Sequence, residues 1–186
     1  IYIYIYIHIH IYIYIYSFLS QTGLANNSAD AILAGQCFHW FGLDQKALDE
    51  IHRVLKPKGT LGIAWNLPDR SVSWINNIEK MLDPRYEPMN IPRLNLDATM
   101  FTALRRHQGF GNEGKHLSSY GYSWNYDFNG IMGMYKTCSV IASAPEKEKQ
   151  QLLLTIEQEL KTNPDVKDKE NYRFQFINEI YWFQKL

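Results

Sequence analysis

The sequence predicts an α/β fold, with a mostly parallel sheet, flanking helices and an antiparallel pair at its edge. Three observations lead there. Ala31 to Ala34 is a short apolar run typical of strands buried on both faces. Ala47, Leu48, Ile51, Val54 and Leu55 then recur at helical spacing, while Asp49, Glu50 and Arg53 lie off that stripe. Thr60 to Trp65 is a second apolar run. Two buried strands joined through a helix require a right-handed parallel crossover, so residues 30–66 spell one βαβ unit.

Before that unit, Ile alternates with Tyr over residues 1–16, except that His8 and His10 replace two tyrosines. Period 2 is the strand period, and an uncharged stretch without Pro or Gly is prone to aggregate. A DNA tract of repeated AT encodes Ile-Tyr, so the segment reads as a translated simple repeat standing where an authentic start would be. The run to Leu19 approaches the length of a membrane span, but six tyrosines, two histidines and no basic flank make it a poor one. Nor does it have the charged start of a signal peptide. His8 and His10 share a face at strand spacing, yet two ligands do not close a metal site.

The remaining elements follow from local signals. Asn26, Asn27 and Ser28 form a turn, and Asp44 is placed to cap the first helix. Lys56-Pro57-Lys58-Gly59 should end that helix in a tight turn, with Gly59 left-handed. Ser71 or Ser73 can cap a helix bearing Trp74, Ile75, Ile78, Met81 and Leu82 on one face. Pro84, Pro88 and Pro92 keep the next stretch irregular, and Asp97 can cap a short helix carrying Phe101 and Leu104. Tyr120 to Tyr126 alternates like a strand, and a helix should run from Asp127 towards Ser139. Pro145 suits the first turn of a helix with Leu152, Leu153, Ile156 and Leu160 on one side. Alternating Tyr172, Phe174 and Phe176 open a closing strand that reaches Phe183.

Composition narrows the function classes. The chain has 186 residues with 19 basic and 19 acidic side chains, so no basic face advertises nucleic acid, and the length fits one domain. Cys37 and Cys138 lie far apart without a metal-binding spacing, which suits reduced thiols in a cytoplasmic protein. Within the βαβ unit, Gln36, His39 and Trp40 follow the first strand, and Trp65 and Asn66 end the second. Open α/β sheets bind ligands at the carboxyl ends of their strands. There an amide can donate and accept, an indole offers a flat wall to a cation, and an imidazole can act as base. Phe38, Trp40 and Phe41 as plain core aromatics, and His39 as a group satisfying the backbone, are the structural alternatives.

Three stretches, Asp30-Ala-Ile-Leu-Ala-Gly-Gln-Cys-Phe-His-Trp-Phe41, Ala47-Leu-Asp-Glu-Ile-His-Arg-Val-Leu-Lys-Pro-Lys-Gly59 and Leu61-Gly-Ile-Ala-Trp-Asn66, resemble class I S-adenosylmethionine-dependent methyltransferases of type 11. The trans-aconitate methyltransferase-like, small-molecule subgroup is the nearest. The resemblance begins at the family's fourth strand, with a weaker match from Thr137 to Leu160. It implies a partial Rossmann-like methyltransferase fold, in which residues 1–16 are the repeat and 17–186 an incomplete domain. It further implies S-adenosylmethionine as cofactor, held by Gln36 and Trp40, with His39 as catalytic base and Trp65 and Asn66 on the acceptor side. The expected acceptor is a small molecule such as a carboxylic acid, which Arg70, His107 and Arg105 or Arg106 could neutralise. Departures matter too. No glycine-rich cofactor turn is present, Leu19-Ser20 stands where relatives have Ala-Glu, and Lys58 replaces the first glycine of Pro-Gly-Gly. Methyl transfer is therefore expected to be compromised. A non-catalytic remnant that binds a protein partner or itself through exposed strands is the alternative.

Overall fold

The structure, a computed structural model, describes residues 3–7, 11–14, 21–88, 101–111 and 114–186. His8, His10, Leu19, Ser20, Pro92 and Asp97 lie outside them. Among the described residues six strands form one sheet in the order β2-β1-β3-β4-β6-β5: β1 is Ile3–Ile7, β2 Ile11–Tyr14, β3 Ala29–Gly35, β4 Leu55–Pro68, β5 Lys115–Tyr126 and β6 Tyr172–Gln184. β3 and β4 are parallel, with Ala31 opposite Thr60 and Gly35 opposite Ala64. The helix between them, α1 (Gln45–Val54), buries Ala47, Leu48, Ile51 and Val54, as its spacing requires. Asp44 caps it by accepting from Lys46 N at 3.0 Å.

Antiparallel strands flank this pair. β1 runs against β3, Ile3 opposite Ala34 and Tyr6 opposite Ala31, and β2 pairs with β1. On the other side Lys185 N donates to Gly59 O, while Asp69 N donates to Gln175 O, so β6 runs against β4. The sheet is thus mixed.

Two compact units share the chain. The first comprises residues 1–66, 94–119 and 178–186; it includes β1 to β3, α1 and a short helix α3 (Thr102–Arg106). Its core includes Ile32, Phe38, Leu48, Leu61, Ile63, Trp65, Phe101, Phe110 and Phe183. The second, residues 67–93 and 120–177, holds the other helices: α2 (Ser73–Leu82), α4 (Phe128–Lys136), α5 (Ser139–Ala142) and α6 (Glu146–Thr162). Trp74, Ile75, Ile78, Tyr135, Leu152, Ile156 and Leu160 are buried together there with Tyr172 and Phe174.

Local details differ from the expectations in four places. Lys58, not Gly59, takes the left-handed conformation, at φ +63°, and β4 begins at Leu55 with no separate turn. Gly59 is needed for another reason: a Cβ there would lie 2.8 Å from the Lys56 carbonyl oxygen and 3.1 Å from that of Asp30. Neither Ser71 nor Ser73 caps α2; instead Asp69 accepts from Ser71 N and Ser71 Oγ in the turn before it. The helix after Asp127, whose carboxylate accepts from Gly130 N, stops at Lys136, because Cys138 is extended and α5 starts anew. Pro145 sits at the cap of α6 rather than inside its first turn.

The amino-terminal end of the βαβ unit is bound up in buried polar contacts. Glu50 accepts from Arg53 Nε at 2.7 Å, from Thr22 N at 2.7 Å and from Thr22 Oγ1 at 2.6 Å. Hydrogen bonds from Arg53, with those from Thr22, hold its carboxyl down at about 2. Lys185 is also buried, and its ammonium donates to Asn27 Oδ1 and to the His52 and Leu55 carbonyls at 2.9, 2.7 and 2.7 Å. Those carbonyls end α1, where a cation meets the negative end of the helix dipole. Burial lowers the lysine's pKa, and all three of its protons have acceptors.

Candidate functional site

At the opposite end, the chain leaves β3 at Gly35 and turns sharply. Gln36 N donates to the Ala64 carbonyl at 2.8 Å, which keeps the chain against β4 for one more residue. Gln36 then adopts φ +55°, a conformation that costs a non-glycine residue roughly 1–2 kcal/mol. Its side-chain amide reaches across to the Asn66 carbonyl at 3.1 Å. The ends of the two parallel strands are tied together by this bond.

One helical turn, Phe38–Trp40, follows, and a single ring anchors it. Phe38 is fully buried, stacks on Phe101 at 5.8 Å and meets Phe41 and Trp65 edge-on. Gly42 is forced by this packing, since a Cβ there would lie 2.4 Å from the Phe38 ring. The turn thereby sends Phe38 and Cys37 inward and leaves Trp40 47% exposed. Burial pushes the Cys37 thiol up to about 11, so it is no thiolate nucleophile at neutral pH.

His39 lies between. Trp65 is buried, with 1% of its surface exposed, and its indole N–H donates to His39 Nδ1 at 3.3 Å. The Trp40 ring lies 5.0 Å from the imidazole. Burial lowers the His39 pKa to about 4, so the ring is neutral near pH 7. A base that weak, whose Nδ1 lone pair is already engaged, is poorly suited to take a proton from an acceptor.

Gln36, His39, Trp40, Trp65 and Asn66 therefore converge at the carboxyl ends of β3 and β4. Of the expected cationic helpers, three have contacts of their own. Arg70 is held by Asp83 at 2.7 and 2.9 Å, within the second unit. His107 contacts Asp49 Oδ1 at 3.0 Å and accepts from Gly109 N, beside α1. Arg105 lies over the Phe101 ring at 5.7 Å, and Arg106 is exposed. Two rings that sequence reading missed complete the wall: Phe101, and Tyr181, which packs on both Phe101 and Trp65. Nothing in the sequence links positions so far apart. Among the described residues no His, Cys, Asp and Glu cluster of three or more could hold a metal, and no helix is long and apolar enough to cross a membrane.

Fold and site together define an α/β protein with its candidate ligand site at the carboxyl ends of parallel strands. Comparisons with known proteins show what the chain is similar to. Residues 13–63 match the family described as methyltransferase domain. An uncharacterized methyltransferase of Schizosaccharomyces pombe is 30% identical over 165 residues, covering 88% of this chain and 62% of that protein. One from Mycobacterium bovis is 35% identical over 85 residues, 46% of this chain and 34% of its own. The chain thus spans less than two thirds of the length of these relatives. A solved structure described as a type II methyltransferase from Anaeromyxobacter dehalogenans shares the fold, with a TM-score of 0.59 at 16% identity, over 91% of this chain and 69% of that one. The chain is thus similar in sequence to methyltransferases over part of their length and shares the fold of one solved methyltransferase structure.

Proposed function

We propose that this chain supplies the acceptor side of an S-adenosylmethionine-dependent methyltransferase acting on a small molecule, with a carboxylic acid as the favoured acceptor class. One observation carries the reading: Gln36 and Asn66, and His39 and Trp65, join the two strand ends into one polar-aromatic wall. The fit to the cofactor rests on Gln36 and Trp40, both exposed at that wall. S-adenosylmethionine supplies a methyl carbon bonded to a positively charged sulfur. Trp40 offers such a cation its ring face, and Gln36 offers a side-chain carbonyl to its ammonium or hydroxyl groups. Trp65 and Asn66 border the acceptor. Alignment and exclusion of water do most of the remaining work in such a transfer.

A neutral His39 favours an acceptor that is already ionised. A carboxylate meets that condition at pH 7, which supports the carboxylic-acid reading. The cofactor's hold on this chain should then depend on Trp40. Calorimetric titration of the chain with S-adenosylmethionine tests this: binding is expected, with at least a tenfold loss in Trp40→Ala. Equal binding by the two proteins, or none by either, would overturn the proposal.

A second reading, self-association along β5, is favoured by one observation. Tyr120 and Trp124 are 80% and 56% exposed on the last strand of the sheet order, where unpaired backbone can template another strand. Light scattering decides it, since a monodisperse monomer at high concentration would exclude the reading.

A further inference from the structure

An indole N–H can only donate, so the ring atom facing Trp65 Nε1 must be a nitrogen without a proton. That atom is His39 Nδ1. In a neutral imidazole the proton must then sit on Nε2, which has no hydrogen-bond partner among the described residues. Trp65 cannot turn away to suit another tautomer. It is buried, and Phe38, Phe101 and Tyr181 each meet its ring edge-on, at 6.2 to 6.3 Å. A proton on Nδ1 would set two donors against each other and leave a buried N–H unsatisfied.

We propose that Trp65 is a positioning residue that fixes His39 as the Nε2–H tautomer, making His39 a hydrogen-bond donor to the acceptor's oxygen rather than a base. This inference rests on the methyltransferase reading for the identity of the ligand but not for the tautomer. It narrows the acceptor to one that presents an oxygen lone pair and has no proton to lose. With a carboxylate the step balances without a base: one oxygen lone pair forms the new O–C bond as the S–C bond breaks towards sulfur. The second carboxylate oxygen remains to accept from Nε2–H.

The titratable groups packed near His39 leave this arrangement undisturbed. Cys37, on the same turn, is a neutral thiol, and burial raises the pKa of Tyr181, against Trp65 from β6, so it too is neutral. Beyond Tyr181, His116 stacks on its ring and contacts Glu179. No carboxylate or cation contacts the His39 ring among the described residues.

The test is the 15N spectrum of the histidine rings in the uniformly labelled chain, followed from pH 5 to 8, with His39 assigned by its loss in His39→Gln. The expected result is an unprotonated Nδ1 and a protonated Nε2 throughout. In Trp65→Phe, which keeps an aromatic ring but loses the donor, the tautomers should mix and the pKa of His39 should rise by about one unit. Should that variant not fold, the native Trp65 indole proton serves instead. Its shift should be constant from pH 8 to 5 and should move in His39→Gln. A wild-type Nδ1–H tautomer, a cationic His39 at pH 6, or a Trp65→Phe spectrum identical to wild type would overturn the inference. None of these measurements needs bound S-adenosylmethionine, so the tautomer can stand while methyl transfer fails, and the reverse.

Discussion

The two ends of one βαβ unit differ in what they do with polar groups. At the amino-terminal end, the buried Glu50 and Lys185 are satisfied by Arg53, Thr22 and Asn27. At the carboxyl end, Gln36 and Trp40 are exposed, and His39 has one ring nitrogen engaged and the other without a partner among the described residues. The same strands support both. Their difference teaches that cohesion and ligand chemistry are separated along the strand axis: contacts that would consume ligand-binding groups are gathered at the other end. Lys58 and Gln36 sharpen the point, since both are left-handed non-glycine residues. At Gln36 the strain positions an amide. At Lys58 the strained residue is held by its backbone, whose N–H donates to the Lys185 carbonyl and whose carbonyl accepts from Gln184 Nε2 at 3.1 Å.

Breaking the amino-terminal network should have the largest effect. Glu50→Ala leaves Thr22 N and the Nε and Nη2 groups of Arg53 without their acceptor and should cost about 3 kcal/mol in denaturant unfolding. A cost under about 0.5 kcal/mol would remove the contrast.

Acid should strike the two ends in successive windows. His39 has a folded pKa of about 4 against the usual 6.5, so the unfolded chain takes up the proton first. Its contribution to stability is therefore complete above pH 6.5 and lost as pH falls towards 4. Glu50, at about 2 against the usual 4.5, contributes stability that is present above pH 4.5 and lost as pH falls through 2. Unfolding midpoints measured against pH should lose the upper window in His39→Gln and the lower one in Glu50→Gln. Loss of both windows in a single variant would mean that the ends are coupled.

Lys58→Gly should stabilise by up to about 1 kcal/mol, by releasing the left-handed backbone. Trp40→Ala should change stability least, by under about 0.5 kcal/mol, while lowering affinity for S-adenosylmethionine. A large loss of stability would mark Trp40 as part of the core.

Local signals were legible in the sequence. Asp44 announces its helix, the apolar spacing of α1, α2 and α6 predicts their buried faces, and the two apolar runs predict the parallel pair. The site residues were named through their place at the strand ends and through resemblance. What escaped depends on distant or conformational facts. Phe101 and Tyr181 reach Trp65 only through the tertiary fold, and the left-handed turns at Gln36 and Lys58 occur at residues that do not favour them. The contact that engages His39 escaped for the same reason: its partner, Trp65, lies 26 positions away in the chain.

β1 pairs with β3 through a segment that reads Ile-Tyr-Ile-Tyr-Ile. Residues 1–5 read the same, and residues 13–16 repeat β2. A slip of two residues that brings residues 1–5 into the place of β1 therefore restores every partner type, whereas the opposite slip sets His8 where a tyrosine stood. At that edge of the sheet, the sequence pattern alone does not single out one register.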